Sequence, residues 1–172
     1  MTILEGIKNR RSIRKYKVGA EVTDEQIKIM LEAAMMAPSA CNSRPWEFIV
    51  IKDRGILDQI RSVHPNTAML ETASIAIIVV ALPEVQEAIR DALPKGYYPQ
   101  DCGAATQNIL LAATALGLGT CWCGVYPKQN RVPEIQKVLN TTKLPFCVIA
   151  VGVPDESPAA RGFYDESRVT YM

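Results

Sequence analysis

"SIAIIVVAL", residues 74–82, is an apolar run of nine residues, rich in β-branched side chains and free of charge. Its length is that of a strand, and the missing polar alternation means that neither face meets water. A strand buried on both faces needs cover on both sides. The run therefore predicts the interior of a sheet with other elements packed above and below it.

The segments around it supply those elements. "WEFIVIK" (46–52) alternates and is rich in branched and aromatic residues, "TCWCGVY" (120–126) reads as a strand entering a loop, and "FCVIAVGVP" (146–154) reads as another buried strand. Thr2 with Glu5 and Thr23 with Gln26 have the spacing of capping boxes. The second opens a helix in which Ile27, Met30, Leu31 and Ala34 share one face until Pro38 stops it. Short helices are predicted around 55–62 and 133–140. "DCGAATQNILLAATALGLG" (101–119) begins with Asp101 as a candidate cap and carries apolar or small residues nearly all round, as a helix with no water-facing side would. Its Ala104, Ala105, Ala112, Ala113 and Ala115 allow another backbone, including a second subunit's, to approach closely. About four strands and five or six helices in loose alternation predict an α+β or α/β sandwich around one sheet. No repeat or linker divides the chain, so residues 1–172 are expected to form one domain.

Composition excludes several functions. Nineteen basic against eighteen acidic residues leave a net charge of +1, with no overall field to drive the chain onto nucleic acid or an anionic membrane. No apolar segment approaches a membrane span, and a cytoplasmic protein is expected. The five cysteines, at 41, 102, 121, 123 and 147, show no CxxC spacing and have a single histidine, His64, to join them. Neither a disulfide framework nor a metal site is expected.

Two polar stretches stand out. "NRRSIRKY" (9–16) gathers Arg10, Arg11 and Arg14 around Ser12, which reads equally as a phosphate receptor or as a solvated basic loop. "APSACNSRPW" (37–46) holds more polar groups than a helix-to-strand turn needs. Cys41 beside Arg44 reads more simply as a small buried thiol than as a nucleophile, and Trp46 and Trp122 as core aromatics. There is no GxxxxGK[ST] loop, no GxGxxG after a first strand and no GxSxG elbow, so a phosphate-cradling glycine loop and a hydrolase triad are both disfavoured.

"RRSIRKY", "APSACNSRPWEF", "ALGLGTCWCGVYP", "AVGVP" and "ARGFYDESRVTYM", in this order, resemble the FMN-dependent nitroreductase family across essentially the whole chain. The resemblance implies an α+β, three-layer fold: a central mixed, largely antiparallel sheet flanked by helices. It implies an intertwined homodimer with FMN at the subunit interface, and a C-terminal segment, ending in the strand-like "RVTYM", that extends onto the other subunit. It also implies hydride transfer from NADH or NADPH to the flavin, then to nitroaromatic, quinone or similar electron-poor acceptors by a ping-pong cycle. A related reductase of enone or dehalogenation substrates, or a flavin carrier or redox sensor without turnover, remains the alternative. Carried over by position, Arg10 and Ser12 resemble phosphate and ribityl ligands, Arg161 a second phosphate-binding base, and Arg14 the cation beside the flavin's N1 and O2 edge. Asn66 resembles a polar contact to the ring, and Cys123 and Gly124 a backbone edge along N5. Pro38, Ser39, Ala40 and Asn42 would close over the flavin of the partner. Arg44 stands where many relatives have Gln, and Met69 where some have Lys. Tyr97 and Tyr98, within "PEVQEAIRDALPKGYYPQ" (83–100), are expected to line the substrate pocket with Arg44.

Overall fold

The computed structural model describes residues 2–89, 96–128, 130–159 and 161–172. A four-stranded sheet runs through it in the order β1 (Trp46–Ile51), β2 (Ile75–Ala81), β4 (Leu144–Gly152), β3 (Gly119–Gly124). The three ladders are antiparallel, and a parallel bridge from Ser12 to Thr120 extends the sheet beyond β3. Every residue of β2 is buried, as is β4 from Pro145 onward, because these two apolar runs occupy the interior of the sheet. The antiparallel pairing decides for α+β over α/β.

Alternation along the strands splits the core in two. Ile75, Ile77 and Val79 of β2, with Cys147, Ile149 and Val151 of β4, pack on α2 (Asp24–Met35) and α5 (Tyr98–Ala115) through Ile27, Met30, Ala34, Ala105, Ile109 and Ala113. Ala76, Ile78, Val80, Val148 and Ala150 pack on α3 (Arg54–Val63) and α6 (Val132–Leu139) through Leu57, Ile60 and Ile135. The result is three layers. Both predicted capping boxes form, Thr2 with Glu5 ahead of α1 (Ile3–Asn9) and Thr23 with Gln26 ahead of α2.

One expectation is corrected, and two segments expected to meet a second copy stand open in the single chain. α5 begins at Tyr98, so Asp101 lies inside its first turn rather than capping it, and its carboxylate is used elsewhere. α5 also has an open side: Ala104, Asn108, Leu111 and Ala112 are only half-buried and Ala115 is exposed. Within the chain this side borders a groove of about 340 Å³ against Ile3 and Gly6 of α1 and Ala33 of α2. "RVTYM" pairs with no strand of its own chain. Arg168 closes a short turn (Glu166–Arg168), and Phe163, Tyr164 and Tyr171 are exposed. Among the described residues, no helix is long and apolar enough to cross a membrane.

Candidate functional site

After α1 the chain turns extended at Arg10 and is fastened along the far edge of β3 and β4. Ile13 N donates to Thr120 O (2.8 Å), Lys17 N to Val153 O (2.9 Å) and Asp155 N to Lys15 O (2.9 Å). Ile13 and Tyr16 are buried, and the Tyr16 hydroxyl donates to Ile13 O at 2.7 Å. With these two side chains turned inward, Arg10, Arg11, Ser12 and Arg14 line a pocket of about 340 Å³, closed by Glu156, Pro158 and Arg161.

The pocket is strongly basic, with four guanidiniums against one carboxylate. Glu156 accepts the backbone N–H groups of Arg14 and Lys15. Arg11 donates to Ala159 O (3.1 Å) and to Arg10 O, which ties Ala159 to the start of this stretch. Arg10, Arg14 and Arg161 take part in no ion pair among the described residues. Clustered guanidiniums repel one another, and an anion with several oxygens relieves that repulsion through charge-assisted hydrogen bonds. The stretch therefore lines a concavity, at which Arg14 and Arg161 are exposed.

Arg14 also borders a second hollow, of about 430 Å³, with Tyr16, Ala68 and Met69. This leads to the turn Pro65–Glu71, which is stitched to the end of β3. His64 is fully buried: Nδ1 accepts from Asn66 N (3.3 Å), and Nε2 lies 3.0 Å from Gly124 O. The neutral tautomer protonated at Nε2 satisfies both contacts. The Cys123 thiol donates to Asn66 O at 3.1 Å, so Asn66, Cys123 and Gly124 are brought together. The adjacent Cys123 thiol draws the Cys121 thiol below its ordinary value against the opposing effect of burial, and the nearby Arg14 guanidinium adds to the fall. Met69 is a buried residue in contact with Cys123.

Burial holds the proton affinity of His64 below the ordinary 6.5. As pH falls the unfolded chain therefore takes up this proton before the folded one. The associated stability is complete above about 6.5 and is lost as pH drops toward the depressed folded value. Between pH 7 and 5 the urea midpoint of the wild type is expected to fall more steeply than that of His64→Gln, which keeps a donor and an acceptor but does not titrate. Equal slopes would remove the neutral histidine from this role.

A second group of predicted residues lies apart from the basic pocket. In the loop after α2, Cys41 (φ 51°), Asn42 (φ 53°) and Arg44 (φ 49°) are left-handed, a conformation costing about 1 kcal/mol or more for each non-glycine residue. Ser39 Oγ accepts from Arg44 N (2.9 Å), Arg44 Nε donates to Asn42 Oδ1 (3.2 Å), and Ala40 N donates to the Asp101 carboxylate (3.2 Å). Cys41 is exposed, which overturns its reading as a buried thiol, because its left-handed turn lies outside the core. Trp46 is buried as expected, whereas Trp122 is partly exposed beside Phe146. Tyr98 packs edge-on against Tyr126 with ring centroids 5.8 Å apart, and Tyr97 is exposed. Of the predicted covering segment 83–100, Pro83–Glu87 form α4, and residues 90–95 lie outside the described residues. Pro38, Ser39, Ala40, Asn42, Arg44, Tyr97 and Tyr98 do not line the basic pocket of their own chain.

Sequence reasoning missed His64, Gln86, Asp101 and Glu156 as organisers of these two groups. Only the lone histidine, and Asp101 read as a helix cap, carried any local signal.

A family model described as the nitroreductase family matches residues 7–64 and 58–153. A Methanothermobacter thermautotrophicus protein provisionally named NADH dehydrogenase/NAD(P)H nitroreductase is 46% identical, with 98% of this chain and 86% of that protein covered. The crystal structure of a Bacteroides thetaiotaomicron protein with the same provisional name superposes with a TM-score of 0.89 at 38% identity, covering 98% of this chain and 96% of the other. A provisionally named nitroreductase of Desulfovibrio desulfuricans, crystallised in complex with FMN, superposes with a TM-score of 0.84 at 30% identity, covering 100% and 97%.

Proposed function

The chain belongs to the nitroreductase family, and from that premise we propose that it is an FMN-dependent oxidoreductase that takes electrons from NADH or NADPH. In this reading it passes them to nitroaromatic, quinone or similar electron-poor acceptors by a ping-pong cycle. The observation that carries the reading is the pocket in which Arg10, Arg14 and Arg161 have no carboxylate partner among the described residues. Such a donor set fits the phosphate of FMN.

When bound, FMN supplies a ring nitrogen able to accept hydride from a nicotinamide and return it to an acceptor. The chain's own residues bind and orient. Arg10 and Arg161 would hold the phosphate and Ser12 the ribityl chain, with Arg11 beside them and fastened to Ala159 O. Arg14 brings positive charge toward the ring, where it favours an electron-rich flavin. Asn66, Cys123 and Gly124 offer polar backbone and side-chain edges whose relative position is held by His64.

The proposed working unit is a homodimer, with Pro38, Ser39, Ala40 and Asn42 of one copy closing the site of the other. Arg44, Tyr97 and Tyr98 then face the acceptor. The open groove beside α5 and the exposed Phe163, Tyr164 and Tyr171 support a second copy as cover. So does the separation of the two groups of residues within one chain.

Purified protein is expected to carry a flavin absorption spectrum and to oxidise NADH or NADPH when a quinone is supplied. A colourless protein that takes up no FMN would overturn the reading. Bound FMN without turnover would leave a carrier or sensor in its place.

A further inference from the structure

We propose that Gln86 and Asp101 are positioning residues: together they set the shape of the loop 38–44 and couple it to the start of α5, and so control how tightly the site closes over its cofactor. The inference rests on the reading that this loop closes over FMN held by a second copy.

The loop needs anchors. Three of its residues are left-handed without being glycine, and its internal hydrogen bonds are few: Asn42 N to Ser39 O (3.0 Å), Ser43 N to Ala40 O (3.0 Å), Arg44 N to Ser39 Oγ (2.9 Å) and Arg44 Nε to Asn42 Oδ1 (3.2 Å). A backbone in sparsely populated conformations persists only where surrounding structure imposes it. Here that structure is two buried polar side chains. Gln86 is fully buried, and its Nε2 donates both to Asp101 Oδ2 (2.6 Å) and to Ser43 Oγ (2.9 Å). Its Oε1 accepts from Tyr97 N at 2.6 Å. Asp101 is 6% exposed and accepts from Ala40 N.

Asp101 has no cation partner among the described ion pairs, so amide donors and the first turn of α5 stabilise its carboxylate. Packing alone would be served by two apolar side chains, without the penalty of burying a charge. What the polar pair adds is direction. Every hydrogen-bonding group of the Gln86 amide is committed, and its partners lie in three separate places: the loop, the Asp101 carboxylate and the backbone of Tyr97. The backbone of Tyr97, just ahead of Tyr98, is therefore tied to the loop through Gln86.

The test is a swap. Gln86→Glu sets two carboxylates side by side and spoils the contact, whereas the oxygen of Asp101→Asn can still accept from the Gln86 amide. In the double variant the new amide at 101 donates to the new carboxylate at 86. That carboxylate still accepts from Tyr97 N and now also accepts from the Ser43 hydroxyl. At pH 8 Gln86→Glu is expected to raise the dissociation constant for FMN at least tenfold. It should also speed amide hydrogen exchange of peptide 38–45 at least tenfold, with exchange in β2 and β4 unchanged, and adding Asp101→Asn should recover both properties.

Three results would overturn the proposal: wild-type exchange and affinity in Gln86→Glu, a double variant as impaired as Gln86→Glu, or loss of protection spread through β2 and β4. Exchange of the loop is read on the flavin-free protein as well. A wild type that binds no FMN would therefore sink the functional reading, while the exchange data still decide whether the pair anchors the loop.

Discussion

Gly119→Ala is expected to destabilise the protein by about 1–3 kcal/mol and to weaken FMN binding at least tenfold. A Cβ at this position would lie 2.8 Å from both Cβ and Cγ2 of Ile13 and 2.9 Å from its Cγ1. Ile13 is β-branched and stiff, and its own Cβ cannot retreat unless its backbone does. That backbone is the segment that carries Ser12 and Arg14, held to β3 by the bond from Ile13 N to Thr120 O. Relief of the clash therefore displaces the basic residues relative to β3 and to Arg161, which is carried by a different segment. Urea unfolding and the quenching of FMN fluorescence measure the two effects. Unchanged affinity in a destabilised variant would separate this segment from the cofactor site.

Removal of the guanidiniums is expected to act on binding with little effect on folding. Charge-assisted hydrogen bonds contribute roughly 1.5–3 kcal/mol each, so Arg10→Ala or Arg161→Ala should weaken FMN binding about tenfold to a hundredfold. The double variant should lose both contributions, and the flavin-free protein should keep its stability because like charges have been thinned. Arg10→Lys retains charge without the planar fork and should fall between wild type and alanine. Riboflavin, which has no phosphate, is the control. Its affinity should be nearly insensitive to these substitutions, and an equal loss for riboflavin and FMN would move the two arginines away from the phosphate.

The basic stretch shows how far local pattern reaches. "NRRSIRKY" announces a cluster of cations, but whether it forms a pocket depends on Ile13 and Tyr16 turning inward and on Glu156 and Arg161 arriving from the far end of the chain. "APSACNSRPW" announces surplus polarity in the same way. Its left-handed turns and their anchors were hidden, because Ala40 and Asp101 are 61 residues apart and Ser43 and Gln86 are 43 apart. His64 meets Gly124 across 60 residues for the same reason.

What the sequence by itself determined are the properties read within a few residues. These are the two capping boxes, the apolar runs that became the inner strands β2 and β4, and the alternation that divides the core between two helical layers. Each follows from helix or strand periodicity and from the need to satisfy the ends of the backbone ladder. Tertiary structure alone decided that all three ladders run antiparallel, that α5 keeps an open side, that Cys41 is exposed, and that Asp101 anchors a loop instead of capping its own helix. Those outcomes depend on which distant backbone groups the packed layers bring within hydrogen-bonding distance, and no local repeat encodes that.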